Sequence, residues 1–215
     1  PIMQAKLVGG FDKDNNLYFI DEFNGGSIYK YTSSNPNATN GDDFFASGQT
    51  FAAKVNGGGN SNAVGNIVWT PITDGSGGIL AGVTQTTDGL IDGRTSADTA
   101  LATNYQRPED MEIKTLANGD QIVLIATTTT NEIYSMNLAT SEMKVFASQA
   151  TANAAGGLIG GALVSPDNIA IDADGNFYII EDQGATNADI WLARDANDDG
   201  VAESLQRWAG MQVTG

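Results

Sequence analysis

The sequence lacks cysteine and histidine altogether, and it is poor in basic residues. Without a thiol or an imidazole, this chain cannot carry Ser-His-Asp or Cys-His catalysis, a zinc site built from Cys and His, or a disulfide bond. Ten Lys and Arg residues stand against 26 Asp and Glu residues, which gives a net charge of −16. A chain this acidic, with no run of basic residues, is not expected to bind nucleic acid or an anionic membrane surface.

Long hydrophobic runs are missing as well, since no stretch approaches the roughly 18–20 apolar residues that a membrane-spanning helix needs. Hydrophobic residues still make up 41% of the 215 residues, which is enough for a packed core. This length suits one domain, or a large piece of one. The remaining reactive groups are carboxylates, amides, hydroxyls and four guanidinium groups. This set favours hard cations such as calcium.

The composition also bears on where the protein works. Abundant Gly, Asn, Thr and Asp with few lysines is typical of extracellular microbial proteins, and we expect an extracellular or periplasmic location in a bacterium. The chain begins at Pro1 rather than at Met, which we expect of a mature product whose leader has been removed.

Short apolar runs bounded by turn-forming residues are the dominant pattern along the chain. Three of them are Leu17–Ile20, Ile122–Ile125 and Phe177–Ile180, and each follows a cluster rich in Asn, Asp and Gly. Each is followed by a second run with an aromatic residue, at Ile28-Tyr29, Ile133-Tyr134 and Ile190-Trp191. Runs this short predict β-strands rather than helices, and the Asx-Gly turns predict antiparallel hairpins.

The same strand–turn–strand unit recurs along the chain. Arg107–Ile113 aligns with Ser165–Ile171, and Asp12–Tyr31 aligns with Asp172–Leu192. Three such units predict an all-β fold, a β-propeller with about three blades of antiparallel strands. A β-sandwich is the alternative, although its strands would not need to repeat a Pro-acid opening.

The units define the expected domain organisation. They cover residues of about 3–55, 107–150 and 165–213, within one propeller domain, or a fragment of one, spanning 1–215. Between the first two units we expect a long irregular insertion over 56–106. It contains one short predicted helix, Ser96–Thr103, capped by Thr95 or Ser96. Long insertions of this kind are usually functional loops or partner surfaces.

With these units in place, the sequence resembles the PhoX-type alkaline phosphatases, a bacterial β-propeller family. The strongest similarity is Gly93–Asp98 followed by Arg107–Asp110, which resembles the family's Arg-containing helical insertion and its Arg-Pro-Glu-Asp opening. Ser165–Ile169 and Asn16–Glu22 are similar to two other blades. The resemblance implies a metal-dependent phosphomonoesterase that acts on phosphate esters, with calcium as the expected metal and iron as a second candidate.

Three elements of the family pattern are absent from this sequence. Lys6–Gly10 carries no acid where the family has a Trp-Glu segment, no Cys is present, and no Asn-x-Gln-His segment follows Val213–Gly215. We therefore expect the middle of a propeller, with the missing blades or a second copy as partners. The alternative function is a non-catalytic extracellular structural propeller, whose open sheet edges pair into homo-oligomers or filaments.

Acidic residues recur at equivalent positions of the units. Glu109 and Asp167 lie at the start of one strand, and Glu22 and Asp182 lie at the end of another. Equivalent positions of successive blades point at one region, where carboxylates repel each other unless cations neutralise them. We expect all four to bind metal, and Glu109 to be catalytic as well, since a bound cation polarises a phosphate ester and activates water. The alternative is that these acids cap turns and face solvent.

Arg107 is the second catalytic candidate, because it directly precedes Pro108 and Glu109. A guanidinium beside clustered carboxylates is suited to clamp a phosphate through two parallel hydrogen bonds. The alternative is a structural ion pair with Asp110 or Glu112.

A further candidate metal site is the segment Asp195–Gly200. Asp195, Asn197 and Asp199 place oxygen donors at alternate positions before a glycine, as in the first half of an EF-hand loop. The bidentate Glu that an EF-hand needs at its twelfth position is Gln206 here. We therefore predict a looser calcium-stabilised turn, with a plain Asx-rich hairpin as the alternative.

Overall fold

The computed structural model describes residues 9–183 and 188–211, and within them the fold is all-β, as predicted, with two short helices and one 3-10 turn. The chain divides into two compact units, Pro1–Tyr105 and Gln106–Gly215. None of the helices in the described ranges is long and apolar enough to cross a membrane.

The first unit is built on an antiparallel sheet with the strand order β1-β2-β4-β5-β6. Its strands are β1 (Gly9–Phe11), β2 (Leu17–Ile20), β3 (Asn24–Gly26), β4 (Ile28–Ser33), β5 (Gly48–Val55) and β6 (Gly65–Pro71). Its helices are α1 (Gly41–Phe45) and α2 (Gly93–Thr99), and the short strand β7 (Tyr105–Gln106) follows at the boundary. Phe19 stacks on Tyr29 in the core, with the ring centroids 5.1 Å apart. The first predicted unit begins at about residue 3, and its part before Gly9 lies outside the described residues.

The second unit contains two four-stranded antiparallel sheets, in the orders β11-β10-β9-β8 and β12-β13-β14-β15. The first consists of β8 (Pro108–Thr115), β9 (Gln121–Thr127), β10 (Glu132–Asn137) and β11 (Glu142–Ser148). The 3-10 turn Gly160–Ala162 precedes the second, which consists of β12 (Pro166–Ile171), β13 (Phe177–Glu181), β14 (Ala188–Arg194) and β15 (Ser204–Met211).

These two sheets share one hydrophobic core. Phe146 of β11 and Phe177 of β13 meet edge to face across it, with the ring centroids 4.9 Å apart. Trp191 of β14 is buried in the same core. Four-stranded antiparallel sheets packed in this way are typical of neighbouring propeller blades, while the number of blades in the protein stays a prediction.

One five-residue turn precedes β2, β9 and β13, the three strands that the sequence pattern predicts. In each turn the first residue donates its N–H to the carbonyl of the fifth, and the fourth donates to the carbonyl of the first. The fourth residues are Asn15, Gly119 and Gly175, with φ of 61°, 87° and 81°. This left-handed conformation favours Asn and Gly, which explains the Asx-Gly clusters.

Two of these turns carry the same side-chain network, which we call the hairpin lock. Asp12 Oδ1 accepts from the N–H groups of Asp14 and Asn16 at 3.0 and 2.8 Å. Its Oδ2 accepts from the Asn16 side chain at 2.9 Å and from the Tyr18 hydroxyl at 3.1 Å. The matching bonds of Asp172 come from Asp174, Asn176 and Tyr178, at 3.0, 2.9, 2.8 and 3.1 Å. The two segments that the sequence aligns, beginning at Asp12 and Asp172, therefore form the same set of hydrogen bonds.

The segment 56–106 is more regular than the sequence predicts. It contains β6, which pairs antiparallel with β5. It also contains the predicted helix, but the predicted bounds and caps are wrong. α2 begins at Gly93 because Asp92, rather than Thr95 or Ser96, caps it, and the Asp92 side chain accepts from the N–H of Thr95 at 3.0 Å.

Candidate active site

The two Pro-acid segments at the starts of β8 and β12, Arg107–Glu109 and Ser165–Asp167, have the same unusual backbone. Arg107 and Ser165, each directly before a proline, have φ of 60° and 49°. This left-handed region is costly for a residue with a Cβ, and the position before proline disfavours helical backbone further. Such strain persists only where the surrounding structure enforces it, and it concentrates at functional sites.

The two acids that follow these prolines lie at β-bulges. The register of β8 with β9 shifts between Pro108 and Asp110, so Glu109 is the extra residue of the bulge. The register of β12 with β13 shifts in the same way at Asp167. A bulge places an extra residue in one strand and redirects its side chain, and bulges are common beside active sites. The positions that the sequence alignment matches are therefore matched in local geometry as well.

Glu109 is buried, with only 4% of its side chain exposed, and it pairs with Arg107. The Arg107 Nε lies 2.5 Å from the Glu109 Oε1, and the Arg107 side chain is 43% exposed. Arg107 thus forms an ion pair, as in the structural alternative, but its partner is Glu109 rather than Asp110 or Glu112. A guanidinium held from one side by a buried carboxylate and open to solvent on the other is suited to bind an anion.

Thr128 connects the two Pro-acid segments, a role that its sequence position does not signal. Its N–H donates to the carbonyl of Arg107 at 3.1 Å, and its hydroxyl donates to the carbonyl of Pro166 at 3.1 Å. A second link joins the same strands, since the Ile169 N–H donates to Asp110 Oδ2 at 2.8 Å. The structure therefore brings the starts of β8 and β12 together.

We expect Thr128→Val to lower the free energy of unfolding by about 1–3 kcal/mol, because the Pro166 carbonyl loses a buried donor while the side-chain shape is kept. Urea denaturation measures this change. Thr128→Ser, which keeps the hydroxyl, and Thr140→Val, at an exposed turn position, are the controls. A Thr128→Val protein as stable as the Thr140→Val protein would contradict the link.

At the end of β13, Glu181 rather than the predicted ligand Asp182 points inward. Glu181 Oε1 accepts from the Val164 N–H at 2.8 Å and from the Trp191 indole at 2.9 Å, and Oε2 accepts from the Asp189 N–H at 3.0 Å. Asp182 is exposed. Glu181 therefore holds the turn before β12 in place, and the metal-binding role of Asp182 stays a prediction.

The first unit uses the matching acid, Asp21, in a similar way. Asp21 is buried, and Arg94 binds both of its carboxylate oxygens, with Nε at 2.6 Å and Nη2 at 2.7 Å. The hydrogen bond to Asp21 raises the pKa of Arg94, and the Phe23 ring centroid lies 3.9 Å from its guanidinium carbon. The predicted ligand Glu22 is half-buried beside this pair, and its metal-binding role is untested.

The segment Asp195–Gly200 forms an Asx-rich turn whose side chains bind its own backbone. Asp195 accepts from the N–H groups of Asp199 and Gly200, both at 3.0 Å, and burial raises its pKa. Asn197 accepts from the Asp199 N–H at 3.0 Å, and Asp199 accepts from the Val201 N–H at 2.9 Å. These bonds fit the Asx-rich hairpin alternative, and calcium binding here stays a prediction.

This turn is distant from Glu109. Its Asp198 pairs with Lys114, with Nζ 2.9 Å from Oδ1, near the far end of β8. Lys114 and Glu109 are five residues apart along that strand, or roughly 16 Å at the rise of a β-strand. A cation at the turn would therefore occupy a site separate from Glu109.

The donors fit a hard cation in type, because the available carboxylate and amide groups all offer oxygen. Within residues 9–183 and 188–211, however, no three or more acidic side chains form a group that could hold an ion. A metal at Glu109 would therefore need donors beyond those that the described residues bring together.

Comparisons with known proteins point to one family. The family model of the alkaline phosphatase PhoX matches residues 10–215. The structure of PhoX from Pseudomonas fluorescens in complex with vanadate, a transition state analogue, superposes with a TM-score of 0.57 at 19% identity. The match covers 94% of this chain and 43% of that chain, so this chain spans less than half of that protein's length. A comparison with curated protein sequences finds no match.

Proposed function

Because this chain belongs to the PhoX alkaline phosphatase family, we propose that it supplies part of the active site of a calcium-dependent phosphomonoesterase. The observation that carries the proposal is the pair of Glu109 and Arg107. A buried carboxylate at a β-bulge lies 2.5 Å from a partly exposed guanidinium with strained backbone. The second acid, Asp167, has the same local geometry on the neighbouring strand.

Each group has a distinct role in this proposal. Arg107 binds and orients the phosphate, because a guanidinium matches two phosphate oxygens at once. Glu109 fixes the guanidinium and offers an oxygen donor for calcium, and Asp167 offers a second donor from β12. When bound, the metal supplies Lewis-acid polarisation of the ester and an activated water. Asp182 in the second unit and Glu22 in the first unit are each proposed to bind a metal ion, and further ligands would come from outside the described residues. Export from the bacterial cytoplasm is part of the same proposal.

Turnover of p-nitrophenyl phosphate tests the proposal, and it is measured on the natural protein that contains these 215 residues. We expect turnover in millimolar calcium, loss of turnover in EDTA, and recovery when calcium is restored. Recovery with ferrous iron but not with calcium would identify iron as the metal. A protein that shows no turnover with either metal, or turnover that EDTA leaves unchanged, contradicts the proposal.

The alternative function, a structural module that pairs with copies of itself, has one observation in its favour. β15 is the outermost strand of its sheet and carries Trp208, which is 61% exposed. Light scattering coupled to gel filtration distinguishes the alternatives. Measured on the natural protein that contains these 215 residues, a species at a multiple of the monomer mass without phosphatase activity supports the structural module, and an active monomer excludes it.

A further inference from the structure

A cavity of about 760 Å³ opens in the first unit and shares no residue with the proposed active site. Its inner wall consists of core residues, Leu17 and Phe19 of β2 together with Ile72. Its outer wall comes from the connection between β6 and α2, with Ile79, Leu90 and Ile91. This volume lies within the range of roughly 300–1,000 Å³ that small-molecule pockets occupy.

The lining carries no formal charge. No Asp, Glu, Lys or Arg is among the residues that line the cavity, all of which lie in the described part of the chain. On a chain with a net charge of −16, this is a marked local exception. Transfer of a charged ligand from water to this surface would be costly, because nothing in the lining compensates the charge.

Most polar side chains in the lining already form hydrogen bonds to other groups of the protein. The Thr73 hydroxyl accepts from the Thr50 N–H at 2.8 Å, and the Ser76 hydroxyl donates to an Asp74 oxygen at 2.8 Å. The Tyr31 hydroxyl donates to the Phe44 carbonyl at 3.2 Å, and the Gln85 amide donates to the Gly89 carbonyl at 3.0 Å. A ligand would therefore be held mainly by apolar contact rather than by hydrogen bonds.

The mouth of the cavity exposes apolar side chains to water. Ile79 is 53% exposed and Phe45 is 49% exposed, and both line the cavity. Gly77 and Gly89, each with φ of 81°, form turns in the outer wall without side chains that would fill the space. An apolar ligand would remove this exposed surface from water, which is the main driving force for such binding.

We propose that this cavity is a binding site for an uncharged, mainly apolar small molecule. The site is distinct from phosphate chemistry, because a phosphate ester carries the charge that the lining cannot compensate. The proposed binding site therefore does not depend on phosphatase activity of the protein.

Fluorescence titration with the neutral dye Nile red tests the site on the natural protein that contains these 215 residues. We expect saturable binding, and displacement by 1-decanol or by naphthalene, which also shows whether the cavity prefers a chain or a ring. Absence of saturable binding, or dye that neither compound displaces, overturns the proposal.

Two matched variants locate the binding. Ile79→Asp adds a charge at the mouth, and we expect the affinity for Nile red to fall by about tenfold or more. Val64→Asp adds the same charge at a residue of the same unit that is 41% exposed and outside the lining. We expect it to change the affinity by less than about twofold. Equal affinities in the two variants would place the dye elsewhere and overturn the proposal.

Methyl NMR on the unmodified chain keeps the proposal testable if Ile79→Asp does not fold. Addition of 1-decanol should shift the methyl resonances of Ile72, Ile79 and Ile91, which line the cavity, and leave that of Ile122 in place. Shifts that spare the three lining residues overturn the proposal.

Discussion

Replacement of Glu109 by Gln is expected to lower the turnover of p-nitrophenyl phosphate about a thousandfold, equivalent to roughly 4 kcal/mol of transition-state stabilisation. The amide keeps the shape of the side chain but removes the charge that attracts the cation and holds Arg107. The measurement compares steady-state turnover of the variant and the unmodified natural protein at saturating calcium. Circular dichroism confirms that the fold survives.

Glu112→Gln is the matched control, because Glu112 lies on the same strand but is exposed. We expect its turnover to stay within about twofold of the unmodified protein, as for a surface substitution. If Glu109→Gln is as active as this control, Glu109 is a structural partner of Arg107 and its catalytic role is wrong.

Glu181→Ala is expected to lower the free energy of unfolding by roughly 3–5 kcal/mol, because three donors lose their acceptor in a buried environment. The Val164 N–H, the Asp189 N–H and the Trp191 indole all depend on this one carboxylate. Urea denaturation followed by tryptophan fluorescence measures the change. The exposed Glu142, changed to Ala, is the control and should stay within about 0.5 kcal/mol.

A Glu181→Ala protein with the midpoint of the control would show that water replaces the carboxylate at low cost. It would also make Glu181 a candidate metal ligand beside Asp182, since a carboxylate that the fold does not need is available for another purpose.

The strands could be predicted because their signals are local. Leu17–Ile20 is β2 to the residue, and the Asp12 and Asp172 turns lie directly before the strands that they predict. The turn needs a left-handed residue at its fourth position, and only a few residue types adopt that conformation easily. Helix α2 was harder, because several residues before it are able to cap a helix and only the structure shows that Asp92 does.

The site could be predicted only in part, because its geometry depends on contacts distant in sequence. The Pro-acid segments predict Glu109 and Asp167 as candidate site residues, but nothing local to Thr128 indicates its bond to Pro166, 38 residues further on. Likewise, two adjacent acids at a strand end look equivalent in sequence. Side chains alternate between the two faces of a strand, so only the packing decides that Glu181 is buried and Asp182 exposed.

The hairpin lock has a consequence for how fast the parts of this chain fold. Each lock joins an Asp to a Tyr only six residues away, and loops of about ten residues close in 10–100 ns while hairpins form in roughly 1–10 μs. By contrast, the bond from Ile169 to Asp110 spans 59 residues. Because distant contacts form slowly, the hairpins are expected to form first and the docking of β8 on β12 last. Conditions that slow the final docking of β8 on β12 would then leave a chain with native strands but without the arrangement that the proposed site requires.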